Sequence, residues 1–158
     1  VDEFVYIFGG LALAMGLSSL LNGVLVIKYG MLKLVKISLY CFAFLALMYI
    51  LFFGTSSNPQ VAVLIAFLFL QFLSMGLVFG NLSSLAMQPI GHIAGVGAAI
   101  YSFISMSLAV IVAMLVGKFI QDVAVPLFVG FFIVGIVSIG LIQLITLKSS
   151  DAFEASDD

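Results

Sequence analysis

The feature that most constrains this chain is a run of 81 residues, Ile37 to Gly117, without a single Asp, Glu, Lys or Arg. Two shorter uncharged runs flank it, 24 residues from Phe4 to Ile27 and 25 residues from Val123 to Leu147. A helix needs about 20 mainly apolar residues to cross the hydrocarbon core of a bilayer. Each short run is therefore long enough for one crossing, and the long run is long enough for three if two breaks divide it.

Two segments rich in turn-forming residues supply these breaks. Gly54 to Gln60 reads Gly-Thr-Ser-Ser-Asn-Pro-Gln, and Asn81 to His92 contains Pro89 and Gly91; both compositions are typical of turns. The sequence thus predicts an all-α polytopic membrane protein with five transmembrane helices at about 4–27, 37–53, 61–80, 93–117 and 124–147. A transmembrane β-barrel is the alternative, but its strands alternate apolar and polar residues, and Val61–Leu70 is apolar throughout.

Composition excludes several other classes of protein. Apolar residues make up 65% of the chain and charged residues 8%, whereas a soluble domain is about a quarter charged. A soluble enzyme, a nucleic-acid-binding domain and a disordered chain all need far more charge than this. No nucleic-acid partner is therefore expected.

The lysines predict how the helices are oriented. Three of the five lie at 28–36, between the first two predicted helices, and Lys148 follows the last one, whereas Lys118 alone falls on the other side. Basic residues favour the cytoplasmic side, so we expect the loops at 28–36 and 81–92 in the cytoplasm, with an irregular acidic tail at 149–158. The chain begins Val1-Asp2-Glu3, which we interpret as the start of the C-terminal piece of a longer membrane protein.

Chemistry inside a membrane requires titratable groups, which are costly there and usually functional. The five predicted spans contain no Asp, Glu, Lys or Arg, and the only histidine, His92, falls in a predicted loop. A nucleophilic serine would lack a base within reach. We therefore expect no enzymatic reaction, no cofactor and no metal site, and any residues that move protons must lie outside this chain.

Small and uncharged polar residues are the remaining candidates for function. Gly76 and Gly80, and Gly91 and Gly95, are spaced four apart, which lets helices approach closely. The polar side chains either form hydrogen bonds between helices or line a water-filled path, and flexible Met side chains suit a pocket for varied apolar ligands. On the second interpretation, the candidate substrate cavity consists of Met15, Gln71, Met75, Ser102, Ser105 and Met106.

One loop has the layout of a known transporter motif. Gly23 lies near the end of the first predicted span, Lys28 marks the membrane edge, and Gly30 provides a tight turn; the residues that match the motif are Gly23, Leu25, Gly30 and Leu34. This resembles the cytoplasmic loop signature of the major facilitator superfamily, in its weaker copy between the eighth and ninth helices. The usual Asp of the motif is missing, and Lys stands where Arg is common.

A second loop gives a more specific likeness. The segment from Gly80 to Ala99 resembles the loop between the tenth and eleventh helices in the Bcr/CflA branch of that superfamily, which are bacterial drug:proton antiporters. The matching residues are Asn81, Leu85, Ala86, Met87, Pro89, Gly91, His92, Ala94, Gly95 and Ala99. Gln88 replaces the usual Glu.

The resemblance implies a fold of two six-helix halves working by alternating access, with this chain covering helices eight to twelve. It implies a proton-coupled multidrug exporter of small, largely apolar compounds in the bacterial inner membrane, whose partners are the lipid bilayer, the substrate, protons and the missing N-terminal half. The residues of a cytoplasmic gate would be Gly23, Lys28, Gly30, Asn81, Pro89, Gly91, His92 and Gly95. The alternative is a non-transporting membrane subunit or scaffold that packs against partner helices.

Overall fold

The computed structural model describes residues 2–54, 59–118 and 124–154. Over these residues the chain is helical and has no strand, which confirms the predicted all-α class. A 3₁₀ segment, Gln88–Ile93, joins the third helix to the fourth. The helices are α1 Asp2–Tyr29, α2 Met31–Phe53, α3 Val61–Met87, α4 Ala94–Gly117 and α5 Val125–Glu154.

Four helical stretches of the described chain are long and apolar enough to cross a membrane, as expected of a membrane-embedded, multi-pass protein. They are Ile7–Tyr29, Met31–Phe53, Val61–Leu115 and Val125–Thr146. The third has 55 residues and comprises α3, the 3₁₀ segment and most of α4, whereas one crossing needs about 20 residues. Five separate spans are not confirmed, because α3, the 3₁₀ segment and α4 follow one another directly and form one stretch.

The turn between α1 and α2 is much shorter than the predicted loop at 28–36. α1 continues to Tyr29, α2 begins at Met31, and only Gly30 lies between them. Lysine is a good helix former, so the lysines mark the edge of the apolar span and not the end of the helix. The break between α2 and α3 begins after Phe53 and ends before Val61, as predicted, although residues 55–58 lie outside the described chain.

Two further helix ends also differ from the sequence prediction. α3 continues to Met87 instead of ending near 80, because 81–87 contains neither Gly nor Pro, and the first helix breaker is Pro89. α5 continues to Glu154, so the prediction of an irregular tail is wrong for 149–154. The rest of that tail, 155–158, lies outside the described residues, as does most of the predicted 118–123 loop.

α2 forms the centre of the bundle and packs against both α3 and α5. Its buried side chains recur every three or four residues, which places them on one broad face; they are Leu34, Val35, Ser38, Leu39, Phe42, Ala43, Ala46 and Tyr49. Near the end of α2 the ring of Tyr49 stacks on Phe128 of α5, with ring centres 3.6 Å apart. Phe67 of α3 meets the Tyr49 ring edge-on at 5.3 Å.

Residue pairings fix the directions of the packed helices. Ser18 and Asn22 of α1 lie beside Gly76 and Gly80 of α3 respectively, so both numbers increase together and the two helices are parallel. Phe42 and Tyr49 of α2 meet Gln71 and Phe67 of α3, so α2 is antiparallel to α3, and its pairing with α5 is antiparallel as well. The turn at Gly30, the 3₁₀ segment and the C-terminal part of α5 therefore lie at one end of the bundle.

α4 is peripheral. It has only slight contacts with α3 and α5. Among its described side chains all are exposed or partly exposed, and Gly97 is its one buried residue. Large apolar side chains such as Phe103 and Met106, each 73% exposed, project from it.

Candidate functional site

The turn at Gly30 is the first element of the candidate site. Gly30 has φ 75° and is the only described residue with a positive φ. No atom lies within 4 Å of where a Cβ would stand, so space does not require glycine here. The backbone does, because φ 75° combined with ψ 157° is a conformation that is essentially restricted to glycine.

Two lysines lie beside this turn. The Lys28 ammonium is 5.3 Å from the centre of the Tyr29 ring, and the Lys33 ammonium is 5.8 Å from the same centre. Both distances fall within the range of cation–π attraction. The pair of positive charges is thus gathered around one aromatic ring at the end of the first span.

The two loop motifs meet through a pair of asparagines. Asn81 is 1% exposed, and its Nδ2 donates to the Oδ1 of Asn22 on α1 and to the Leu77 carbonyl, the latter at 2.8 Å. Asn22 lies directly before Gly23 of the first motif, and Asn81 opens the second. Asn81 is one of the predicted gate residues and Asn22 is not, although an asparagine inside an apolar span is itself a signal for an interhelical hydrogen bond.

The predicted Gly76–Gly80 step lies in the same contact between α1 and α3. A methyl group added at Gly76 would overlap the hydroxyl of Ser18, which is 1% exposed and donates to the Met15 carbonyl at 2.7 Å. At Gly80 the nearest atom to such a group is Nδ2 of Asn22, at 3.9 Å. We call Ser18, Asn22, Gly76, Gly80 and Asn81 the polar seam. It joins α1 to α3 through close backbone approach and polar side chains.

The second gate motif forms the 3₁₀ segment and the start of α4. Ile90 has φ −115° and ψ 25°, which breaks the helical path directly after Pro89. Gly91, His92 and Gly95 are exposed, and no atom lies within 4 Å of a Cβ built at either glycine. Within the described residues, therefore, this glycine pair forms no helix contact of the kind found at Gly76.

The six predicted cavity residues fall into two groups. Met15, Gln71 and Met75 belong to α1 and α3, where the sulfur of Met15 lies next to Gly76. Ser102, Ser105 and Met106 belong to α4, which does not touch α1 in the described part of the chain. These residues do not assemble into one pocket here, and their role as a substrate path stays a prediction.

Gln71 is the cavity candidate with the most informative surroundings. It is 1% exposed, and its Nε2 donates to the Phe42 carbonyl of α2 at 3.2 Å. Its Oε1 has no hydrogen-bond partner among the described residues. One end of this amide therefore joins two helices, while the other retains unused acceptor capacity in an apolar setting, which is costly.

A groove of about 320 Å³ opens between α1 and α2, with α3 as its floor. Its walls are mainly apolar, and none of the six predicted cavity residues lines it. The groove could not be predicted from the sequence, because a groove between three apolar helices leaves no pattern in any one of them. The lining residues are Leu25, Tyr29, Leu34, Ile37, Ser38, Cys41, Leu73, Ser74 and Leu77.

The described residues contain no group of three His, Cys, Asp or Glu side chains that could hold a metal ion. The chemistry available at this end of the bundle is hydrogen bonding through amides and hydroxyls, positive charge from lysines and apolar contact. Comparison of the chain with protein-family models, curated proteins and solved structures finds no match.

Proposed function

We propose that this chain is the C-terminal part of a proton-coupled multidrug efflux transporter of the major facilitator superfamily, in its Bcr/CflA branch. It would export small, largely apolar compounds from bacteria by alternating access. The chain would lie in the inner membrane with its C-terminus in the cytoplasm. Protons and the substrate would pass between this half and an N-terminal half that carries the proton-moving residues.

The observation that carries the proposal is the hydrogen bond between Asn22 and Asn81. It ties together the two segments that resemble the family, although they are far apart in the sequence. Both segments also end at the same end of the bundle, because α1 and α3 are parallel. A pair of loops that act together as one gate requires this arrangement.

The proposal divides the 55-residue helical stretch into two crossings, giving five spans. Pro89 and the irregular backbone at Ile90 provide the point at which the chain would turn back. The turn would then lie on the same side of the membrane as Gly30. Lys28, Lys33 and Lys36 would hold that side in the cytoplasm.

Alternating access requires segments that change shape while the spans stay intact. Gly30 and the segment 88–95 fit this role, since glycines without close neighbours on their open sides leave room for a backbone change. Gln71, with its unpaired Oε1, is the residue best suited to meet a polar group of a substrate. The exposed apolar side chains of α4 would face lipid or the helices of the other half.

Dye efflux from bacteria that express the full-length protein tests the proposal. Gly30→Val and Gly91→Val should leave the amount of protein in the membrane similar and abolish efflux of a dye such as ethidium. Gly140→Val is the matched control, because Gly140 also has no atom within 4 Å of a Cβ but lies away from both loops. Absence of efflux by the unaltered protein, or unchanged efflux in the first two variants, would contradict the proposal.

A non-transporting membrane subunit is the second candidate. The exposed apolar side chains of α4 favour it, because a helix with so little contact to its own chain has a surface available for a partner helix. In that case the protein would purify in a fixed ratio with another membrane protein. The same dye assay would show no efflux at all.

A further inference from the structure

We propose that the groove between α1 and α2 binds one acyl chain of an anionic phospholipid, whose phosphate is held by Lys28 and Lys33. This inference depends only on the chain lying in a membrane and is independent of the proposed transport function. The lining of the groove shares no residue with the polar seam or with the predicted substrate cavity.

The shape of the groove fits a single hydrocarbon chain. Its volume of about 320 Å³ lies at the small end of ligand cavities, which is enough for part of an acyl chain and too little for a whole lipid. Along α2 the lining runs from Leu34 to Cys41, a rise of about 10 Å at 1.5 Å per residue. Ile37 and Cys41 are exposed and mark its open side.

The inner surface of the groove is formed by buried residues of α2 and α3. Leu34 of α2 is 3% exposed, and Ser74 and Leu77 of α3 are 6% and 7% exposed. α1 and α2 separate after the Gly30 turn and make few contacts with each other. The groove is therefore the space that two diverging helices leave above a third, and lipid is the medium that surrounds it.

Charge at one end of the groove selects the headgroup. Tyr29 lines the groove, and the ammonium groups of Lys28 and Lys33 lie 5.3 and 5.8 Å from the centre of its ring. The chain has no Asp or Glu between Glu3 and Asp122, so no acidic side chain of α2 or α3 neutralises them. Tyr29 is the last residue of its apolar stretch, and the ends of a transmembrane helix meet the headgroup region of the bilayer.

A phospholipid with a net negative charge meets both requirements at once. Basic pockets between transmembrane helices bind such headgroups, and each lysine near the membrane surface contributes about a fivefold gain in affinity. Two lysines should therefore favour an anionic lipid over a zwitterionic one by about thirtyfold. A zwitterionic lipid could place its chain in the same groove without that gain.

Native mass spectrometry of the purified full-length protein in detergent can measure this preference. The probes are palmitoyl-oleoyl phosphatidylglycerol, phosphatidylcholine with the same acyl chains, and glycerophosphoglycerol, which has the headgroup without chains. We expect phosphatidylglycerol to bind about thirtyfold more tightly than phosphatidylcholine. Glycerophosphoglycerol at the same concentration should not displace it.

Two variants separate the headgroup from the acyl chain. Lys28→Gln with Lys33→Gln should abolish the preference, so that the two lipids bind about equally, and the matched control Lys118→Gln, an exposed lysine outside the groove, should keep it. Cys41→Phe should fill the groove and weaken both lipids while leaving their ratio unchanged. Leu108→Phe, on the exposed surface of α4, is its control.

Several results would overturn the proposal. Equal binding of the two lipids, or a preference that survives loss of both lysines, would place any headgroup site elsewhere. Unchanged lipid binding in Cys41→Phe would show that no chain enters the groove. Displacement by glycerophosphoglycerol would indicate a site for soluble phosphates and not for a lipid. Because all the substituted side chains are exposed, circular dichroism should report the same helix content for every variant.

Discussion

Asn22 and Asn81 lie on two parallel helices, and the side chain of the second donates to the side chain of the first. Parallel helices of one chain cannot be sequence neighbours joined by a short turn, and α2 is the helix that separates these two. The asparagine pair is therefore a contact between two segments that are 59 residues apart in the sequence. It also sets the axial position of α1 relative to α3, because only one alignment brings the two amides together.

The first prediction concerns the energy of this pair. Asn22→Ala, Asn81→Ala and the double variant form a double-mutant cycle, in which we expect a coupling free energy of about 0.6 kcal/mol and no more than about 1.7 kcal/mol. Unfolding in mixed detergent micelles, followed by circular dichroism, measures the three values. The control is Ser84→Ala, since Ser84 is exposed and bonds only to Gly80 of its own helix. A coupling of zero would mean that the two amides do not meet in the membrane.

The second prediction concerns the close approach at Gly76. Gly76→Val should lower the free energy of unfolding by about 1–3 kcal/mol, because the added side chain overlaps Ser18 in a packed contact. Ser18→Gly should recover part of the loss when combined with it. Gly16→Val, in α1 with nothing within 4 Å of a Cβ, should cost far less in the same unfolding experiment. Equal costs at positions 16 and 76 would argue against the α1–α3 contact.

The third prediction concerns the backbone of the α1–α2 turn. Gly30→Ala should reduce stability by about 1–2 kcal/mol, because alanine resists a positive φ. Gly30→Asn should reduce it by a similar amount, since φ 75° with ψ 157° lies outside the left-handed helical region that asparagine tolerates. Gly23→Ala is the opposite case: Gly23 is helical with free space around it, and alanine there should stabilise the protein by up to about 1 kcal/mol. Thermal unfolding of the three variants gives the comparison, and equal effects at 23 and 30 would rule out the left-handed turn.

The fourth prediction separates structure from transport at Gln71. Gln71→Leu removes one hydrogen bond to Phe42 but also removes the unpaired Oε1, so the net change in stability should stay below about 1 kcal/mol. If Gln71 meets the substrate, dye efflux should nevertheless fall severalfold. The control is Gln143→Leu, which loses a bond to Tyr40 on the exposed α2–α5 surface and should keep efflux. Full efflux in Gln71→Leu would remove this residue from the substrate path.

Some parts of the fold could be predicted from the sequence because the bilayer imposes simple rules. Uncharged runs indicated the helical class, and the break between the end of α2 at Phe53 and the start of α3 at Val61 agrees with the prediction. The ends at Tyr29 and Met87 could not be read from charge, because a helix continues past the hydrocarbon until a backbone breaker stops it. The residues that mark these two helix ends in the sequence are Gly30 and Pro89.

The candidate site was predictable only where one residue type forces a contact. Gly76 indicated a close approach between two helices, and the residue that lies against it is Ser18 of α1. Asn22 and Cys41 went unassigned, because their roles depend on which helices lie side by side, and apolar spans alone do not encode that order. The six cavity residues were selected by chemical type and depth, and α4 places three of them away from the others.

The parallel pairing of α1 with α3 has a consequence for synthesis. A chain inserted from its N-terminus brings α1 into the bilayer well before α3 exists, and α1 makes few contacts with α2. Ser18 and Asn22 are therefore in the membrane without their final neighbours until the part of the chain that contains Gly76 and Asn81 has been synthesised. The polar seam can form only after the α2–α3 hairpin has been inserted. Of these three helices, α1 is therefore the first to be inserted and the last to reach its final contacts.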